Sequence, residues 1–258
     1  MFVKLLKYEL KSIGKWYFAL NASVLAISLF LGFSFSHKYI TNYANNSYNS
    51  GAHLGTQLLP LSLALIFGIL VAGAWIATLV IIVRRFYKSI FGREGYLSLT
   101  LPVSTHQLIL SKLLAAFIWS SFNTLILGIG VILLLLPISG VGNVLVGISH
   151  ITSLLKGSEW LLFSIYLIFS EFCGTLLIYL AISIGQLFND KRVLLGFLAY
   201  FVLTIILFIS SGLLNDKWLD DGGTSPRYFI YCIGEFIFHI IVCYYATYYI
   251  IKNKLNIQ

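Results

Sequence analysis

The sequence predicts an all-α polytopic membrane protein. It has six transmembrane helices, an N-terminal amphipathic interfacial helix, and a short cytoplasmic helix between spans 2 and 3. Three observations carry this prediction. Of the 258 residues, 59% are hydrophobic and only 10% charged, against roughly 25% charged in soluble domains. The apolar residues gather in blocks, and about 20 apolar residues in a helix suffice to cross a bilayer. Those runs are continuous and not alternating, so helices are favoured over a closed barrel, the other way to satisfy a backbone in lipid. The whole chain, 1–258, reads as a single transmembrane domain.

Residues 1–15, MFVKLLKYELKSIGK, form the interfacial helix. At 100° per residue, Lys4, Lys7, Lys11 and Lys15 fall within about 80° of one another, with Phe2, Leu6, Leu10 and Ile13 on the opposite side. Such a helix suits the cytoplasmic lipid surface before the first span turns in. The apolar run behind it is too long, and lacks the cleavage pattern, for a signal peptide.

The spans are expected at about 16–36, 57–83, 107–137, 159–187, 193–214 and 228–251. The second, third and fourth exceed the minimum length and are expected to tilt or project into water. In the second, Gly68 and Ala72, then Gly73 and Ala77, put small residues one turn apart and permit close helix packing. The loop at 37–57, rich in Asn, Ser, Tyr and Gly, is expected to have little fixed structure, and 215–227 is a short, turn-rich connection.

Orientation follows from Lys and Arg. With the N-terminus in the cytoplasm, the inner side holds 13: Lys4, Lys7, Lys11, Lys15, Arg84, Arg85, Lys88, Arg93, Lys112, Lys191, Arg192, Lys252 and Lys254. The outer side holds 4: Lys38, Lys156, Lys217 and Arg227. This bias puts both termini in the cytoplasm of a multi-pass protein of the cell (plasma) membrane. The net charge of +8 then reflects topology and anionic lipid, not nucleic acid.

Several chemistries are not signalled. Cys173, Cys232 and Cys243 lie inside apolar runs, where cysteine is a small packing residue. No Cys/His cluster has metal-ligand spacing. No Walker-type phosphate loop, H-E-x-x-H or G-x-S-x-G occurs, so no nucleotide or hydrolase site, and no enzyme activity of its own, is expected.

Residues 84–112 break the apolar pattern. After Arg84 and Arg85 comes FYKSIFGREGYLSLTLP, in which Gly92 and Gly95 loosen the helix around Arg93 and Glu94. Pro102 ends the short helix that follows, because the residue before proline avoids helical geometry. Ser104 and Gln107 then have capping-box spacing at the start of span 3. The order is span, break, short helix, break, span, with 84–106 as the intervening segment.

The spelling of this segment carries a resemblance. Arg93-Glu94-Gly95-Tyr96-Leu97-Ser98-Leu99-Thr100-Leu101-Pro102-Val103-Ser104 is followed by Leu108-Ile109-Leu110-Ser111-Lys112-Leu113. It resembles the permease subunits of type-two ATP-binding-cassette exporters, whose small bacterial six-span members carry R-E-G-Y-L-x-x-T-L-P-V-S and then L-x-x-S-K-L. The match is specific over about 20 residues, and the topology extends it loosely over the chain. The outer segment before span 6 is short for that family.

The resemblance implies that 84–106 holds a coupling helix seated on a separate ATPase subunit. Arg93, Glu94, Gly95, Tyr96 and Leu97 would make that contact, with Glu94 as a fixed charge for a basic group on the partner. The assembly would be a homodimer of permeases with two ATPase chains, which carry the ATP and magnesium; this chain itself needs no cofactor. The implied cargo is hydrophobic or amphipathic, a toxin-like peptide before a lipid or a drug.

Two acids lie within spans: Glu171 in the fourth and Glu235 in the sixth. A charge at mid-bilayer costs at least about 2.5 kcal/mol on insertion scales, so each needs a partner, a wet cavity or a proton. Glu235 and His239 are one turn apart and can pair on one helix face. Glu171 has no evident partner; it either lines a pathway or stays protonated against a hydroxyl. Two alternative readings rest on these residues or on none: a proton-coupled secondary transporter using Glu171, Glu235 and His239, and a non-transporting immunity or sensor subunit.

Overall fold

The computed structural model describes residues 2–46, 53–92, 104–188, 190–215 and 226–253. Among these there are six helices and no strand: α1 (Phe2–Asn46), α2 (His53–Ile90), α3 (Thr105–Ser153), α4 (Gly157–Gly185), α5 (Arg192–Asn215) and α6 (Pro226–Asn253). Each contains a stretch long and apolar enough to cross a membrane: Tyr17–Ser36, Leu65–Ile90, Thr105–Ser153, Gly157–Gly185, Arg192–Gly212 and Pro226–Asn253. The all-helical, multi-pass architecture is as the composition predicts.

Element ends differ from the sequence reading in four places. The N-terminal segment is not a separate element, since α1 runs unbroken from Phe2 to Asn46. Lys4, Lys7, Lys11 and Lys15 are exposed along its first turns, while Phe2, Leu6 and Leu10 are half-buried. The expected loop at 37–57 is helical through Asn46 and again from His53, because its polar residues do not include a helix breaker before Gly51.

The second span was expected to stop before Arg84, but α2 continues to Ile90. Ile82, Phe86 and Ile90 are buried at i, i+4 and i+8, so burial on one face outweighs two charges on another. The expected loop after residue 137 is also mostly helix. Pro137 lies inside α3, and the real break is Gly140, at φ 77° and ψ 160°. Glycine alone adopts that conformation without steric cost. The chain then resumes a helix as far as Ser153, with Val141, Leu145, Val146 and Ile151 exposed.

The chain divides into two compact units, Met1–Leu10 with Ile82–Phe117 and Leu155–Gln258, and Lys11–Ile81 with Ile118–Leu154. The first unit packs around Phe86 and Tyr179, whose rings stack at 3.8 Å and 7°. Ile90, Leu108, Ile109, Leu113, Leu176, Leu180, Cys243 and Ile251 complete its core. Within it α4 and α5 approach closely: a Cβ on Gly185 would lie 2.7 Å from Gly196 Cα and from the Arg192 carbonyl. The second unit packs α1 on α3 through Tyr17 on Trp119, 5.0 Å between ring centroids, and through Val24 with Leu127 and Ala74 of α2. The remaining apolar surface is large; Phe197 and Phe208 on α5 are 73% and 79% exposed. On a span, such side chains face hydrocarbon.

Candidate functional site

Glu9 is the one acid on the first helix, and it is set about 155° from the centre of the lysine face at 100° per residue. Its carboxylate is buried and holds two cations. Glu9 Oε1 lies 2.6 Å from Lys112 Nζ, and Glu9 Oε2 lies 2.9 Å from Arg85 Nε. Lys112 is as buried as Glu9, at 5% and 7% exposure, and Arg85 is only partly covered. Burial by itself raises the pKa of the Glu9 carboxyl. The charge and hydrogen bond of Lys112, then those of Arg85, outweigh that and hold it below its ordinary value.

Three helices meet in this cluster. Arg85 precedes the end of α2 by five residues, and Lys112 stands seven residues into α3. Glu9 therefore ties together the two helices that bracket residues 91–104, using the amphipathic segment of α1 as the bolt. Tyr179 of α4 adds to the joint by donating its hydroxyl to the Lys112 carbonyl at 3.1 Å.

Both edges of the bracketed segment are defined. The Phe91 and Gly92 amides donate to the Tyr87 carbonyl at 2.9 and 3.0 Å and close α2. A Cβ at Gly92 would lie 2.7 Å from the Lys88 carbonyl, so a larger residue does not fit that ending. At the other edge the Ser104 hydroxyl accepts the Gln107 amide at 3.3 Å, which caps α3 as the spacing predicts. His106, the second residue of α3, stacks on Tyr248 of α6 at 3.9 Å and hydrogen-bonds the Tyr244 hydroxyl at 2.9 Å. Lys252 lies over the Tyr248 ring at 5.5 Å. The start of α3 is thus pinned to the end of α6. Arg93, Glu94, Gly95, Tyr96 and Leu97 lie outside the described residues.

The intramembrane acids have separate surroundings. Glu235 Oε1 accepts hydrogen bonds from Ser211 at 2.6 Å and, more weakly, from Ser210 at 3.4 Å, both on α5. The expected side-chain pair with His239 is not formed: His239 Nδ1 engages the main-chain carbonyl of Glu235 at 2.9 Å. The i, i+4 spacing that brings the two residues together also brings the ring to the backbone carbonyl, and the serines of α5 take the carboxylate. The main-chain carbonyl of Glu171 accepts from Thr175 at 3.0 Å. Its carboxylate has no hydrogen-bond or ion-pair partner among the described residues and is half-buried. Among the described residues no hydrogen bond between side chains joins Glu171, Glu235 and His239; the one contact within the set is that of the His239 ring with the Glu235 main-chain carbonyl.

The arrangement fastens three helices to one another through a buried charge cluster. No group of three His, Cys, Asp or Glu residues could hold a metal among the described residues. Glu9 is the functional candidate that the sequence reading passed over. Its signal was present: an acid on the apolar face of an amphipathic helix, with Arg85 and Lys112 standing at the ends of two apolar runs. No protein-family model, curated protein or solved structure matches this chain.

Proposed function

We propose that the chain is the membrane-spanning permease subunit of an ATP-driven exporter of the ATP-binding-cassette kind. It would move hydrophobic or amphipathic cargo, a peptide in the first instance, out of the cell, with ATP hydrolysed on a separate subunit. The observation that carries this reading is the Glu9 cluster. A buried carboxylate holds Arg85 before the 91–104 segment and Lys112 after it. A connection between two spans needs no such fastening to turn the chain around. A segment that receives a push from a partner does, because only a rigid mount passes displacement on to the helices.

Other features agree with the reading. Six apolar helices supply a membrane domain. The spelling of 93–104 and 108–113 supplies the resemblance to the exporter permeases. The basic bias supports cytoplasmic termini and puts the 91–104 segment on the side where ATP is available. In this reading two copies pair with two ATPase chains, and Glu94 meets a basic group on the ATPase.

The test is co-purification of the tagged full chain, expressed with candidate ATP-binding-cassette ATPases, followed by ATP hydrolysis with a panel of amphipathic peptides. A stable complex whose ATPase rate rises with a peptide is expected. Failure to associate with any such ATPase would remove the reading and leave the proton-coupled and the non-transporting alternatives.

A further inference from the structure

We propose that the seam between α1 and α3 in the second unit holds internal water, bound by Asn21, Asn123 and Trp119. This is independent of the proposed function. The register of the two helices is given by a ladder of contacts. Tyr17 stacks on Trp119, Val24 packs with Leu127, a Cβ on Gly130 would touch Ser28 at 3.1 Å, and a Cβ on Gly32 would meet the Leu134 carbonyl at 2.9 Å. The helices run in the same direction with a nearly constant offset. Asn21 and Asn123, each four residues beyond the Tyr17 and Trp119 pair, occupy the turn between the aromatic contact and the Val24 and Leu127 contact.

These groups are closed off. Asn123 is fully buried, Asn21 is 2% exposed and Trp119 is 8% exposed. The Asn21 amide nitrogen donates to the Tyr17 carbonyl at 2.9 Å, which fixes the amide orientation and turns its oxygen away from that bond. Asn21 Oδ1, both polar atoms of the Asn123 side chain, and Trp119 Nε1 are buried with no hydrogen-bond partner among the described residues. In a hydrocarbon setting such groups are strongly unfavourable unless something satisfies them. The set mixes donors, the indole N–H and the Asn123 amide, with acceptors, the two amide oxygens. Water is the small molecule that serves both kinds, and buried water typically makes about three hydrogen bonds to groups of this sort. A metal cation is a poor match, because the indole N–H and amide NH2 present hydrogen and no lone pair.

The consequence is a wet point inside the α1 and α3 helix pair. A hydrated seam keeps its polar groups satisfied while α1 and α3 shift by part of a turn, since water can follow where a direct side-chain bond would break.

The experiment is radiolytic hydroxyl-radical footprinting of the full chain in lipid nanodiscs, read by mass spectrometry. Internal water generates radicals where it sits. Trp75 of α2 is the control: it is 44% exposed on a spanning helix, so it faces lipid. Trp119 is expected to be oxidised at least five times faster than Trp75 despite its burial. In Asn123→Leu the Trp119 labelling is expected to fall at least fivefold and the Tm to drop, because Asn21 and the indole lose their shared partner. In Asn123→Ser, which retains a hydroxyl for water, labelling is expected to persist. Trp119 labelling no faster than Trp75 in the parent protein overturns the proposal without any variant; a direct bond between the two asparagines, or a dry seam, gives that result. An Asn123→Leu protein with a raised Tm also overturns it.

Discussion

Glu9 and Lys112, 103 residues apart in sequence, meet in a buried ion pair of 2.6 Å. The contact fastens the amphipathic start of α1 to the start of α3, and Arg85 of α2 closes the set at 2.9 Å. Breaking a buried pair by removing one partner typically costs about 3–5 kcal/mol, because it leaves an uncompensated charge out of water. Replacing both partners by apolar residues of similar volume is often neutral. Glu9→Leu and Lys112→Met are therefore each expected to lower thermal stability in detergent by about that amount. The double variant is expected to lie well above the sum of the two. A double-mutant cycle by thermal unfolding checks it, and additive losses would mean that the pair does not couple.

The same cluster sets an acid limit. The folded pKa of Glu9 lies below the ordinary value of 4.5. Between the folded and ordinary values the unfolded chain binds more protons than the folded one, so stability rises with pH across that window. The contribution is complete above about pH 4.5 and is lost as the pH falls through the lower folded value. Glu9→Gln should be less stable near neutrality and should lose less on acidification through this window. Parallel unfolding curves for parent and variant across pH 3 to 7, an order-of-magnitude bracket around the carboxylate range, read the difference; equal acid slopes would remove the claim.

The α4 and α5 crossing predicts a contrast between two glycines. At Gly185 a Cβ would stand 2.7 Å from Gly196 backbone, whereas at Gly174 of the same helix nothing lies within 4 Å. Overpacking of this kind typically costs about 1–3 kcal/mol. Gly185→Ala is expected to fall in that range, and Gly174→Ala to be neutral or slightly stabilising, since alanine favours a helix over glycine by about 1 kcal/mol. Thermal unfolding of the two variants, each compared with the parent, gives the ordering, and equal effects would contradict the crossing.

Much of this was legible in the sequence, and the reasons are physical. Continuous apolar blocks report spans because lipid leaves the backbone no other solution, so all six were found. Their ends were not. Arg84 and Arg85 looked like a stop, yet Ile82, Phe86 and Ile90 carry α2 on by burying one face. Span 3 was expected to end near residue 137, yet the helix runs past Pro137 and leaves helical geometry only at Gly140. Ser104 was legible because a cap is a local interaction. Glu9 was passed over, since pairing across 76 and 103 residues depends on how helices pack. The seam asparagines gave no signal for the same reason.

Glu171 is the intramembrane acid without a side-chain partner among the described residues, in contrast to Glu235 with its serines. If the proposed transport function holds, a carboxyl so placed is expected to act in the transport cycle more than in folding. Glu171→Gln should express, assemble and unfold like the parent. It should change transport, or the ATPase rate stimulated by cargo, by at least about threefold, an order-of-magnitude figure for about 0.7 kcal/mol. Unchanged transport with unchanged stability would make Glu171 structural.

The central claim is that the segment between α2 and α3 docks on a separate ATPase and that the Glu9 cluster is its mount. The most direct measurement is the affinity of the full chain for its co-purifying ATPase, compared among parent, Glu94→Ala and Glu94→Lys. Removing one partner of a docked, partly desolvated charge pair typically costs about 2–5 kcal/mol, mainly through faster dissociation. Glu94→Ala is therefore expected to insert with normal yield and to bind the ATPase at least about thirtyfold more weakly. Glu94→Lys, which adds repulsion, should be weaker still. Parent-like affinity and parent-like ATPase coupling in both variants would contradict the account.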